Sequence, residues 1–278
     1  MNKILLVPSG GLANRMRAIA SGLSLAKHTN SRLTVLWQKD KGLYADFTDI
    51  FKSEDLPFNL KKFPSLIYNF LYEVPRKKNL YIPSIINFLQ GNKRIYQIPS
   101  RNDFLKMAES DLKDFVKRKH DVMIMSGLEF YGYDPDIMKD LFKPTSTIIK
   151  RAKAIIGEKQ PELAVQIRRT DNRQSILKSP LRLFEESINK EIEKNPNVRI
   201  FLATDDEEIK NSLSLRFPER IIFNRCKARR DTLNGITDAL AEMIIMAKCK
   251  KIYGSYYSSF SEVASQLYGN ELIVVKEI

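Results

Sequence analysis

From residue 163 onward, short apolar runs alternate with longer amphipathic ones, and this alternation constrains the fold more than any other feature. Residues 163–167, 198–203, 221–223, 251–253 and 272–275 read as strands, and 181–194, 207–217, 231–248 and 259–268 carry helical periodicity. Strands that are apolar on nearly every residue must be buried on both faces. Joined through helices, they make a parallel sheet with helices packed on each side. The chain opens in the same way. Residues 4–7 are a wholly apolar strand, broken by Pro8-Ser9-Gly10-Gly11. Leu12, Met16, Ile19, Leu23 and Ala26 then recur at helical spacing through a helix over about 14–27, and 32–37 is a second strand. A further strand is expected at 122–125, and mostly helix over 136–157. The expected architecture is α/β, with two doubly wound domains, 1–155 and 156–278, and a cleft between them.

Residues 61–99 interrupt this pattern. Lys61, Lys62, Arg76, Lys77, Lys78, Lys93 and Arg94 are interleaved with Phe63, Tyr68, Phe70 and Tyr72, and the only acid is Glu73. Short helices and loops are expected, forming either an acceptor or membrane-contact surface or a solvated irregular insertion.

Charge and composition then narrow the partners. Lys plus Arg is 46 and Asp plus Glu is 33, a net +13, which favours anionic ligands. Two cysteines, Cys226 and Cys249, cannot build a disulfide scaffold or a four-thiolate zinc site. Two histidines, His28 and His120, make a multi-histidine metal centre improbable. The apolar start at 4–7 is too short for a signal peptide, and no run approaches the ~20 residues of a membrane span. A cytoplasmic protein is expected, in peripheral contact with the inner membrane face if the basic insertion touches lipid.

Five motifs can carry chemistry. Arg168-Arg169-Thr170-Asp171 follows a strand, where open α/β sheets bind ligands. Adjacent arginines there grip a diphosphate or make a surface ion pair with Asp171. Thr204-Asp205-Asp206-Glu207 ends the next strand, and Thr204 with Glu207 fits a helix capping box. Glu242 stands in an almost wholly apolar helical run, four residues after Asp238. It needs donors, supplied either by a nearby lysine or amide or by a base with two adjacent N–H groups, such as guanine. Gly254-Ser255-Tyr256-Tyr257-Ser258-Ser259-Phe260-Ser261-Glu262 contains a capping box from Ser259 to Glu262, and a helix N-terminus flanked by hydroxyls also suits phosphate. Gly10-Gly11-Leu12-Ala13-Asn14-Arg15 is a glycine turn opening a helix. No GxxxxGK[ST] phosphate loop occurs.

In this order the motifs resemble the fucosyltransferase superfamily of nodulation and core α1,6-fucosyltransferases and protein O-fucosyltransferases. The resemblance covers the Gly10–Arg15 turn and most of 163–268. It implies a GT-B-like fold of two Rossmann-like domains, and GDP-fucose as donor with no metal and no cofactor. It also implies that Arg168 holds the donor β-phosphate, that Asp205 and Asp206 belong to the second family motif, that Glu242 takes the guanine-binding position, and that Ser258 lies at a phosphate-binding serine. Two positions depart from the family pattern. Gln166 replaces the signature histidine, and Ile176 stands where one branch carries a carboxylate proposed as base. The base is therefore unassigned, with Asp171 the nearest acid. The expected function is inverting transfer of fucose, or another sugar from a GDP-sugar, to a glycan or lipid-linked hydroxyl. Arg168, Arg169, Ser258 and Ser259 would stabilise the leaving GDP, and Asn14 and Arg15 would sit at the cleft edge on the acceptor side. No nucleic-acid partner is expected of such an enzyme. The alternative reading is a non-catalytic nucleotide or nucleic-acid binding protein.

Overall fold

The computed structural model describes residues 1–62, 96–97, 108–119 and 121–277. The chain divides into two compact units, 1–137 and 138–278. Most of the basic insertion, including Arg76, Lys77, Lys78, Lys93 and Arg94, lies outside the described residues.

The first unit is built around β1 (Asn2–Pro8), flanked by β2 (Ser31–Trp37) and β5 (Asp121–Ser126). With β3 (Asn59–Lys62) and β4 (Tyr96–Gln97) the sheet has the order β3-β2-β1-β5-β4, all parallel. Lys61 and Lys62, expected in an irregular segment, end β3 at the sheet edge; exposed lysines there discourage edge-to-edge pairing. Helix α1 (Leu12–His28) connects β1 to β2 and buries Leu12, Met16, Ile19, Leu23 and Ala26, the stripe read from spacing. Among the described residues this unit also has two shorter helices, α2 (Phe47–Ile50) and α3 (Glu109–Lys119).

Helix α4 (Asp136–Leu141) spans the division and α5 (Ser146–Ile156) follows it. The division falls before the expected boundary near 155. The reason is packing: α5 lies against α9 (Leu233–Lys248), so it belongs with the second sheet. That sheet comprises β6 (Leu163–Ile167), β7 (Ile200–Thr204), β8 (Ile221–Phe223), β9 (Lys251–Ser255) and β10 (Glu271–Val275). Its order is β10-β9-β6-β7-β8, all parallel. The connecting helices are α6 (Arg173–Lys178), α7 (Leu181–Lys194), α8 (Glu207–Arg216), α9 and α10 (Ser259–Tyr268).

Every residue of β6 and β7 is buried, as a sheet covered on both faces requires. Leu163, Val165 and Ile167 pack with Phe184, Ile188 and Leu213 in one core layer. On α9, Ile236, Leu240, Met243 and Ala247 are buried as the spacing predicts, but Leu233 is exposed because it is the helix's first residue. The chain runs β6, β7, β8 in one direction and then crosses back to place β9 on the other side of β6. The direction of winding therefore reverses between β6 and β9, and ligands of such sheets bind outside the carboxyl ends of the strands at that reversal.

Candidate functional site

The β6–β9 reversal is where the arginine motif stands. Ser255, the last residue of β9, accepts from the Arg168 N–H at 3.0 Å and donates to the Gln166 carbonyl at 3.2 Å. The buried Gln166 side chain accepts from the Ser255 N–H at 3.4 Å, so at the signature-histidine position it braces β9. The Arg168 guanidinium donates through Nε (2.8 Å) and Nη2 to Asp171 Oδ1 and lies 3.7 Å from Asp205. Asp171 is also paired with Arg230 at 3.0 Å. Burial works to raise the Asp171 pKa, but Arg168 and Arg230 overcome it and hold the carboxyl below the ordinary aspartate value. A carboxylate held that way is a weak proton acceptor. The geometry gives Asp171 the job of orienting two arginines.

Arg169 is held differently. It donates to the Arg168 carbonyl at 3.1 Å and to the Ser179 carbonyl at 2.7 Å, so it ties the loop to the end of α6. Burial lowers its pKa, against the pull of Asp205 and Asp206.

The acidic motif divides its labour differently from the expected capping box. Asp206, not Thr204, caps α8, accepting from the Glu208 and Ile209 N–H groups at 2.9 and 3.3 Å. Thr204 instead accepts from the Asp206 N–H. Asp205 is left to organise the arginine loop, accepting from the Arg169 N–H at 2.8 Å and from the Thr170 hydroxyl at 2.6 Å. The α10 cap is also displaced by one residue. Ser258, not Ser259, is the N-cap, and its side chain makes no capping bond. The Ser258 hydroxyl is buried with no hydrogen-bond partner among the described residues, beside the N-terminal amides of α10.

The loop leading into Ser258 is held under strain. Tyr257 has a left-handed φ of 57°, costly for a bulky residue. Asn172 donates to its carbonyl at 2.8 Å and Ser175 donates to the Tyr256 carbonyl at 2.6 Å. Gly235 serves the neighbouring loop: a Cβ there would collide with the Arg229 carbonyl, so only glycine lets the chain bearing Arg230 fold back on the first turn of α9.

Glu242 lies half-buried on α9. Burial pushes its carboxyl up to about 7, with Asp238 and Glu207 adding to the rise and Asn224 and Lys210 opposing it. The Lys210 ammonium is buried and donates to Glu207 at 2.8 Å and to the Cys226 carbonyl at 3.1 Å. Asp238 pairs with Arg151 of α5. Thus Asp238 is occupied by Arg151, and Glu242 is the acid of this pair that meets Asn224, the residue following β8.

In the first unit the glycine turn has a different role from the one expected. Gly10 takes φ 82°. Arg15 is wholly buried: it donates to the Gly10 carbonyl at 2.8 Å and to the Gln38 carbonyl, and pairs with Asp40 at 2.8 Å. It cannot stand at a cleft edge, because its charge is consumed in fastening the Gly10-Gly11 turn to the end of β2. Asn14 is half-buried and accepts from Arg17 at 3.0 Å. Gly11 caps α1 without a side-chain bond.

Among the described residues, no three His, Cys, Asp or Glu side chains converge as a metal-ligand set, and no helix is long and apolar enough to cross a membrane. Asp205 and Glu207 are engaged with Thr170 and Lys210.

Arg230, Ser255, Asn172, Asn224 and Lys210 were not read from sequence as site residues. Asn224 follows a strand directly, the signal that singled out Arg168. Arg230 lies in a basic loop with no such mark.

No family model and no curated protein matches the sequence. Solved structures do match. NodZ α-1,6-fucosyltransferase from Bradyrhizobium, soaked with GDP-fucose, is 15% identical with a TM-score of 0.61, over 96% of this chain and 92% of that one. The chain has the fold of a fucosyltransferase. The apo form of POFUT1 is 13% identical with a TM-score of 0.60, over 99% and 97% of the two chains. A variant of Arabidopsis thaliana FUT1 in complex with GDP is 16% identical with a TM-score of 0.58, over 98% of this chain and 70% of that one. The α/β architecture with parallel sheets therefore agrees with the fold read from the sequence.

Proposed function

We propose that this chain is an inverting glycosyltransferase that moves fucose from GDP-fucose to a hydroxyl of a glycan or lipid-linked acceptor, without a metal ion or cofactor. The observation that carries the reading is the layout of the second sheet's carboxyl edge. Arg168, Arg230 and the Ser258 helix end gather at the reversal, and Glu242 and Asn224 stand by β8. The reversal and β8 are about two and a half strands apart, about 12 Å at the usual strand spacing, the span of an extended nucleoside diphosphate. The solved neighbours include complexes with GDP and GDP-fucose in this fold. The acceptor oxygen attacks C1, the bond from C1 to the β-phosphate oxygen breaks, and the departing GDP carries the charge. The arginines and the α10 amides meet that charge.

A thermal-shift series tests the donor. GDP should raise the melting temperature well above UDP or CDP, since a ligand at 100 times its Kd stabilises by about 2.7 kcal/mol. Turnover of GDP-fucose should survive excess EDTA. Binding of nucleic acid with a steep salt dependence, and no stabilisation by any nucleotide, would support the non-catalytic reading instead.

Glu242 makes a second prediction. A carboxylate accepts from guanine N1–H and N2–H only when ionised. GDP binding should therefore be full above pH about 7 and weaken about tenfold per unit below it, because protonation competes. UDP shares the phosphate titration, so the GDP-to-UDP affinity ratio isolates Glu242. Glu242→Gln should weaken GDP by about 10- to 150-fold and flatten the pH dependence of that ratio. Calorimetry at pH 6 and pH 8 is the measurement; an unchanged ratio in the variant would remove Glu242 from the base.

A further inference from the structure

Asn224 is the first residue after β8 and is only 4% exposed. Its Oδ1 accepts from the Cys226 N–H at 3.1 Å, which fixes the orientation of the amide. Nδ2 therefore points the other way. It is buried and, among the described residues, has no hydrogen-bond partner within 3.5 Å; the acceptor it approaches is the Glu242 carboxyl, whose pKa that contact lowers, and the amide's second N–H is left over. A buried N–H group left so costs about 1–3 kcal/mol, and native chains keep few of them. The amide stands beside Glu242 and next to the residue whose carbonyl takes the Lys210 ammonium.

The chemistry of the base says what belongs there. The Watson–Crick edge of guanine presents O6 as an acceptor next to the N1–H and N2–H donors. A carboxylate satisfies the two donors, so the group beside it must be a donor for O6. Lys210 is already spent on Glu207 and the Cys226 carbonyl. Adenine offers an N6 donor in place of O6, and would face Asn224 donor to donor. We infer that Asn224 is the specificity-determining residue that donates to the 6-oxo group of guanine, completing with Glu242 the recognition of the base. This rests on the GDP reading above.

The test compares GDP with 6-thio-GDP, which keeps N1–H and N2–H but puts a weakly accepting sulfur at position 6. Affinities are measured for wild type, Asn224→Asp and Asn224→Ala. Asn224→Asp preserves the oxygen that accepts from Cys226 N–H, so the turn should hold. It faces O6 with an oxygen and should weaken GDP by about tenfold or more. Wild type should prefer GDP to 6-thio-GDP. In both variants that preference should collapse towards one, while UDP affinity stays unchanged. Because the preference is a ratio within one protein, partial loss of stability does not mimic it. If wild type binds GDP and both variants keep the full preference, the Asn224 inference is overturned and the donor reading stands. If wild type does not bind GDP, the donor reading falls and this inference with it.

Discussion

Replacing Arg168 by alanine should cut turnover of GDP-fucose by about 10²–10³ while leaving the melting temperature nearly unchanged. Arg168 stands at the reversal of the sheet with Nε and Nη2 on Asp171, and among the described residues nothing is bonded to Nη1. The charge on the departing diphosphate grows as the sugar bond breaks, so a guanidinium placed there stabilises the transition state more than the bound donor. The loss should therefore appear in kcat rather than in GDP affinity alone. Stability should survive because Asp171, 49% exposed, keeps Arg230 as its partner and is not left as an unpaired buried charge. Arg168→Lys should recover only part of the rate, since an ammonium cannot present a planar fork to both Asp171 and a phosphate. Near wild-type kcat in folded Arg168→Ala would end the assignment of Arg168 to the diphosphate.

Much of the frame that positions these groups was legible in the sequence. The apolar strands and the helical spacing of Leu12, Met16, Ile19 and Leu23 answer to burial, which acts residue by residue and leaves a local pattern. Strand ends are also legible, and this is why Arg168 and Asp205 stand out in the sequence, whereas Ser258 rests on the family resemblance. What each does was less so. Thr204 and Asp206 are both plausible caps, and only the backbone direction at the end of β7 gives the task to Asp206. Arg15 reads as a cleft-edge residue on the acceptor side because it closes the Gly10–Arg15 turn that resembles the family's. Its buried partner Asp40 lies 25 positions along the chain, in a loop that only the parallel pairing of β1 with β2 brings near. Arg230 and Asn224 depend on long-range topology in the same way. Neither spacing nor charge runs encode which loops share one edge of a sheet.

The Arg15–Asp40 pair carries the largest expected effect on stability. Asp40→Ala should destabilise the first unit by about 3–5 kcal/mol, because it leaves a guanidinium buried without its counter-charge. Arg15 is 0% exposed and Asp40 7%, so water cannot replace the lost partner. The damage goes further than one ion pair. Asp40 Oδ1 also accepts from the Gly42 and Leu43 N–H groups at 2.7 and 3.0 Å, and Arg15 lies over the Trp37 ring at 5.3 Å. Removing the carboxylate therefore loosens the loop after β2 and the Gly10-Gly11 turn together. Trp37 is the single tryptophan of the chain and donates to the Ala45 carbonyl at 2.9 Å, so its fluorescence reports this unit. Urea unfolding followed at Trp37 should show the midpoint fall sharply for Asp40→Ala. The double variant Arg15→Met with Asp40→Leu should recover much of the loss, since replacing both charges by apolar groups of similar size removes the uncompensated ion. The double variant still lacks the contacts to the Gly10 and Gln38 carbonyls and to the Gly42 and Leu43 amides, so recovery should be incomplete. A single Asp40→Ala change that lowers the unfolding free energy by less than about 1 kcal/mol would mean that the turn is held by Gly10 and Gln38 carbonyl contacts alone, and that the buried pair is not what fastens it.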